Sequence, residues 1–321
     1  MCPAILTIIA SFLAGTLASP TPKHHVRQLV ELPGLFIENM AVRPNGNLIL
    51  NTMGNGEIYS LDPSQNNPEA HVVAGIEGVN ALTGITPVAK DVYAVAGGNL
   101  DFDKAQFHNG SMKIALVDFS TCGKSARDAA SVEVVIQGAD IGPVNGLTTL
   151  PYHQHIVLGA DHIRGKIIRI DTIKRTAEDV FQDDLLAPVP DPLYPFGVNG
   201  IKIFKHHLYF TSTARRILGR IKIDQFGNKI GDAEIITQLP AGSAAAPDDF
   251  AMDKHGNAYV TFWPNLLVKV TPDGDRFTIL EGVLASPTSS AFSKDGRSLY
   301  VGTAGRGLEG VTGGQVVEIR L

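Results

Sequence analysis

The sequence predicts an all-β chain, a six-bladed β-propeller whose N-terminal strand closes the last blade, and three observations predict it. A strand–turn–strand phrase recurs along the 321 residues. A second short strand follows each copy, and one strand near the N-terminus has no neighbour in sequence to pair with. Matched pairs spread over roughly 300 residues give a period of about 50, within the range of propeller blades. Unequal spacing between copies means inserted loops of different length, which suits a propeller better than a solenoid. The competing architecture is a sandwich with turn signals at similar spacing.

The elements follow in order. "MCPAILTIIASFLAGTLASP" opens the chain with an apolar stretch from Ile5 to Ala18 and small residues around Ala18 and Ser19. It has the length and cleavage chemistry of a signal peptide over residues 1–19, without the usual positive start, and is too short to span a bilayer. Secretion or the secretory lumen is the expected location. Residues 20–321 then form a single propeller, because turn residues recur throughout and no linker interrupts them. Val26–Leu32 is the free strand, expected to pair with Gly314–Leu321 and so remove an exposed edge.

The copies of the first phrase are "AVRPNGNLILNT" (41–52), "GITPVAKDVYAVAGG" (84–98), "GLTTLPYHQHIVLGA" (146–160), "GIKIFKHHLYFTST" (200–213), "AMDKHGNAYVTF" (251–262) and "AFSKDGRSLYVGT" (291–303). Asn-Gly, His-Gly and Asp-Gly supply the positive φ of tight hairpins. The strands that follow are "GEIYSLDP" (56–63), "MKIALVDF" (112–119), "GKIIRIDT" (165–172), "GRIKIDQFGN" (219–228), "LVKVTPDG" (267–274) and "GQVVEIRL" (314–321). Each is short and alternating, and most end in a turn former.

Composition narrows the function. A net charge of −5 is mild, and no basic tract is interleaved with aromatics, so nucleic acid is excluded as a partner. No second long apolar run predicts a membrane span. Loss of the leader removes Cys2 and leaves Cys122 alone, which rules out a disulfide framework. Asn109-Gly110-Ser111 is a glycosylation sequon. There is no Gly-x-Ser-x-Gly elbow and no zinc spacing. "GTAGRGLEGVTGG" (302–314) lacks the Lys-Ser/Thr of a phosphate loop and reads as a connection between strands. His153/His155 and His206/His207 fall on hairpin turns, where solvated rings are expected.

One group of residues stands out. In a propeller the first strand of each blade lines the channel, and its opening residues surround one mouth. Glu38, Asn145, Asn199 and Asp248 hold that phase here, and all carry oxygen donors. Two carboxylates and two amides are hard ligands suited to calcium or magnesium. Singly, each residue could instead cap its loop by bonding backbone amides.

The phrases "IENMAVRPNGNL", "VNGLTTLP", "GVNGIKIFKHHLYFT" and "PDDFAMDKHGNAYV" resemble blades of the regucalcin/gluconolactonase-like six-bladed propellers, over nearly the whole mature chain. That resemblance implies one divalent ion held by Glu38, Asn145, Asn199 and Asp248. Two departures stand out: Glu38-Asn39-Met40 replaces the family's Glu-Gly-Pro, and Asp248-Asp249 replaces its Asp-Gly. Asp249 therefore reads as a general base, a fifth ligand or a mark of replaced metal chemistry.

The leader and the phrasing are most similar to the secreted fungal branch of this superfamily, with its hetero-Diels-Alderases. These join a tropolone-derived quinone methide to a humulene-type sesquiterpene. Such chemistry needs no nucleophile and no cofactor, only a pocket that orients small apolar partners and hydrogen-bonds developing charge. The resemblance implies a mouth rimmed by Tyr194, Phe196, Phe262 and Trp263, with Asp248 or Asp249 moving a proton; blade packing is the other role open to those aromatics. Two further classes stay open: a metal-dependent lactonase or esterase, and a binding propeller without turnover.

Overall fold

The computed structural model describes residues 24–120, 129–138, 141–240 and 242–321. The expected leader, Cys2 and Cys122 lie outside the described residues. Among the described residues every regular element is a β-strand, and all pairings are antiparallel. No helix is long and apolar enough to cross a membrane.

Three four-stranded sheets follow one plan, each a meander from its first strand outward. They comprise Val144–Leu150 to Thr176–Gln182, Val198–Phe204 to Lys229–Gln238, and Ala246–Met252 to Arg276–Glu281. A fourth sheet runs Pro287–Phe292, Ser298–Thr303, Gly313–Arg320 and then Val26–Pro33, the N-terminal strand. Its register pairs Val26 with Ile319 and Leu32 with Gly314. Eight of the remaining strands form one sheet, whose halves meet at a single pair, Met53 with Ala81, and Leu100–Asp101 pairs with Gln106–Phe107 in a small hairpin of its own.

The first strands are neighbours in space. Phe36–Val42 packs beside Ala81–Ala89, then Val144–Leu150, Val198–Phe204, Ala246–Met252 and Pro287–Phe292, which returns to Phe36–Val42. The arrangement is propeller-like. The hairpin turns take the backbone their residues favour: Gly46, Gly256 and Gly296 have φ of 95°, 88° and 71°, and Lys205 takes 55° where the copy has no glycine. The core lies between sheets. Leu158 and Ile167 of one sheet meet Phe210 and Ile221 of the next, all at 0% exposure. Burying a side chain of that size stabilises by about 1.5–3 kcal/mol.

Candidate active site

Each first strand is bulged at the same place. The register shifts between Ile37 and Asn39, Leu82 and Ile85, Val144 and Leu147, Val198 and Ile201, Pro247 and Phe250, and Pro287 and Ser289. A bulge leaves one residue unpaired and re-aims its side chain. Where two residues share the bulge, the second is often glycine because the next strand presses on it. A Cβ on Gly146 would lie 2.4 Å from the Asn199 carbonyl oxygen, and one on Gly200 would lie 2.3 Å from Asp249 Oδ1.

The first bulged residues converge. Glu38, Thr83, Asn145, Asn199 and Asp248 line one cavity of about 370 Å³, within the roughly 300–1,000 Å³ of small-molecule sites. Four of these were expected. Thr83 was missed, although Thr83-Gly84 repeats the polar–Gly signal of Asn145-Gly146 and Asn199-Gly200. Its hydroxyl donates to the Val144 carbonyl at 2.7 Å, bracing two neighbouring strands.

Asn145 Nδ2 donates to Glu38 Oε1 at 3.1 Å, and the indole Nε1 of Trp263 donates to Asp248 Oδ2 at 2.8 Å. Asn199 Nδ2 donates to Thr213 Oγ1, leaving Asn199 Oδ1 buried without a partner. Glu38 and Asp248 are 5% and 7% exposed. Burial pushes the Glu38 carboxyl up to about 7, with the Asp249 charge adding to it against the Asn145 hydrogen bond. Burial, and then the Glu38 charge, push Asp248 well above the ordinary carboxylate range. A buried carboxyl beside another carboxyl's charge favours a bound proton or cation.

The donor chemistry suits a divalent ion. Two carboxylates and two amides, one of them with an orphaned oxygen, are hard ligands. Among the described residues no three or more His, Cys, Asp or Glu side chains are grouped to hold a metal, so such an ion would depend on the two amides.

The two adjacent aspartates are separated. Asp249 accepts from Lys202 Nζ at 2.6 and 2.8 Å and from Asn39 Nδ2 at 3.0 Å, and it does not line the cavity. The strand's alternation turns neighbouring side chains apart, and Lys202 pairs with the second. This corrects Asp249 as a base or fifth ligand facing substrate. Phe262 is corrected too: 2% exposed, it packs with Phe250 and Val260 between sheets. Tyr194, Phe196 and Trp263 do line the cavity. Trp263 has ring neighbours at 5.9 Å (Phe36) and 6.0 Å (Tyr194). His162, which sequence reasoning passed over, lines it as well, edge-on to Phe196 at 5.3 Å, and burial lowers its pKa, favouring the neutral ring.

Comparison with known proteins agrees with this fold. The model of the SMP-30/Gluconolactonase/LRE-like region matches residues 197–305. A candidate hetero-Diels-Alderase of Phoma sp is 28% identical over 92% of this chain and 93% of its own length. A second, from Sarocladium schorii, is 27% identical over 84% of this chain and 75% of its own. Among solved structures, the calcium-binding protein regucalcin of Agrobacterium tumefaciens superposes with a TM-score of 0.64 at 17% identity, covering 92% of this chain and 95% of that one. The resemblance to regucalcin/gluconolactonase-like propellers and to hetero-Diels-Alderases is thus shown.

Proposed function

We propose that the chain is a hetero-Diels-Alderase-like enzyme, joining a tropolone-type quinone methide to a humulene-type sesquiterpene alkene in the aromatic cavity. The observation that carries this is the pairing of an apolar, aromatic wall with a floor of two buried carboxyls whose pKa values are raised. Such a pair takes the ring hydroxyl proton of a hydroxymethyl-tropolone and returns a proton to the departing hydroxyl, so that water leaves and the heterodiene forms. Cycloaddition then makes one C–C and one C–O bond with no net proton transfer. Holding both partners in one geometry contributes on the order of 7–11 kcal/mol in favourable cases. The tropolone and humulene identities rest on the sequence resemblance alone; the relatives' names give only the hetero-Diels-Alder reaction.

The architecture belongs to the same proposal: six blades, with Val26–Pro33 closing the ring. Support comes from the first strands, which contact one another in a closed cycle. It also comes from Ile49 and Ile58, which pack against Tyr93, Val95 and Ala115, so the halves of the eight-stranded sheet face each other as separate blades would. Residues 1–19 as a leader, residues 20–321 as one domain, secretion and glycosylation at the exposed Asn109 complete the proposal.

A second reading is a metal-dependent lactonase, favoured by the orphaned Asn199 Oδ1. Glu38, Asn145, Asn199 and Asp248 would hold a calcium-like ion, which when bound supplies Lewis acidity toward a carbonyl. The test incubates purified protein with a hydroxymethyl-tropolone and a humulene alcohol, with and without chelator. The expected result is an adduct of altered product ratio that survives chelation. Ratios equal to the no-enzyme control, alongside chelator-sensitive opening of simple lactones, would move the assignment to the hydrolase.

A further inference from the structure

The glycine-rich connection 304–312, between Ser298–Thr303 and Gly313–Arg320, carries a cation that the proton chemistry leaves unused. Arg306 lines the cavity together with the carboxyls of its floor. Its guanidinium lies 5.8 Å from the centre of the Phe36 ring, which lines the same cavity. Among the described residues that guanidinium makes no ion pair and donates no hydrogen bond, whereas the other lining cation, Lys104, is bound to Asp101 at 2.7 Å. The backbone beneath Arg306 is built rather than loose. Its carbonyl accepts from Ser286 Oγ at 3.0 Å, and its amide donates to the Ala285 carbonyl at 3.3 Å. The preceding residue, Gly305, has φ +70° and passes so close to Gly313 that a Cβ there would lie 2.1 Å from the Gly313 carbonyl carbon. The loop is therefore fixed at a point where only glycine fits, and it presents Arg306 beside an aromatic wall.

We infer that Arg306 is a substrate-recognition residue that binds the oxygen of a planar, conjugated oxyanion or carbonyl whose ring lies against Phe36 and Trp263. A guanidinium is a flat fork of donors that stacks on rings and bonds oxygen pairs in its own plane, a fit a point charge lacks. The charge layout supports the orientation. Among the described residues Arg306 is the lining cation without a partner, so an oxyanion is drawn toward it and lies beside the aromatic wall. This rests on the proposed cycloaddition for the identity of the ring, but not for the presence of an oxygen site.

Trp263 is the single tryptophan of the chain and lines the cavity, so its fluorescence reports occupancy. Titrations with tropolone, as its anion, and with tropolone methyl ether, each corrected for probe absorbance, test the inference. Arg306→Ala is expected to weaken tropolonate binding by about tenfold or more, as loss of a charge-assisted bond does. Arg306→Lys should recover part of the loss, and methyl ether binding should change little. Equal weakening of both probes, unchanged tropolonate binding, or no binding of either probe to the wild type would overturn it. Product assays separate the two claims. Arg306-dependent binding without adduct would overturn the cycloaddition and leave the oxygen site standing. Adduct formation by Arg306→Ala at wild-type KM would overturn only the oxygen site.

Discussion

Glu38 is a glutamate that folding makes a weaker acid, and this has a measurable sign. Its ordinary value of 4.5 rises to about 7. Between those values the folded chain binds more protons than the unfolded one, so the stability linked to this group is complete below about pH 4.5 and lost as pH rises through 7. The loss is on the order of 3 kcal/mol, shared with Asp248. In chelator, the stability difference between wild type and Glu38→Gln should therefore shift toward the variant as pH is raised from 5 to 8. A flat difference in denaturant melts would remove the raised carboxyl. Added calcium should reduce that shift if an ion sits between Glu38 and Asp248. At the same scale, Trp263→Phe keeps a ring but removes the indole donor to Asp248. Adduct formation should fall severalfold with little change in melting temperature. Glu38, Asn145, Asn199 and Asp248 were legible because they repeat at one phase of a periodic sequence. Phe262 was misplaced because a strand end does not reveal which face a side chain takes, and Asp249 because its partner Lys202 lies 47 residues earlier.

At the scale of elements, the connection that carries Tyr194 and Phe196 is held by a buried ion pair. Arg216 Nη1 donates to Asp191 Oδ2 at 2.6 Å, and Asp191 Oδ1 accepts the amides of Leu193 and Tyr194. Arg216→Ala leaves Asp191 without its cation and should cost about 2–3 kcal/mol, raising KM for the aromatic substrate more than it lowers kcat. Steady-state kinetics and a thermal melt check both halves. The bulge glycines make a sharper test. Gly200→Ala places a methyl 2.7 Å from the Asp249 Cα and should destabilise by about 1–3 kcal/mol through overpacking, whereas alanine at the open turn Gly46, which has no neighbour within 4 Å, should cost only its positive φ. Hairpins were legible from their turn residues. The outermost strands were not: Lys229–Gln238 and Ser131–Gln137 alternate poorly and are exposed over much of their length, so neither periodicity nor composition marked them.

At the scale of the molecule, the N-terminal strand completes the sheet that the C-terminal strands begin. Removing residues 24–33 should leave Gly313–Arg320 as an unpaired edge beside apolar Leu29 and Leu32 contacts now missing, lowering the melting temperature and promoting aggregation. A soluble, unaggregated truncation with the wild-type melt would refute the importance of that pairing. The partnership was readable because Val26–Leu32 had no hairpin neighbour, whereas the joint of Met53 with Ala81 left no mark in either segment. The same pairing has a mechanical meaning. Val26 faces Ile319 at one end of the pair, and His24 Nδ1 lies 3.1 Å from the Arg320 carbonyl oxygen, so the first described residues lie beside the C-terminal strand's end. Tension between them loads the ladder one rung at a time, as a zip is opened, rather than all rungs together as in shear. A tether fixed to both ends would part this seam at low force, while a tether on either end alone would leave it unstressed.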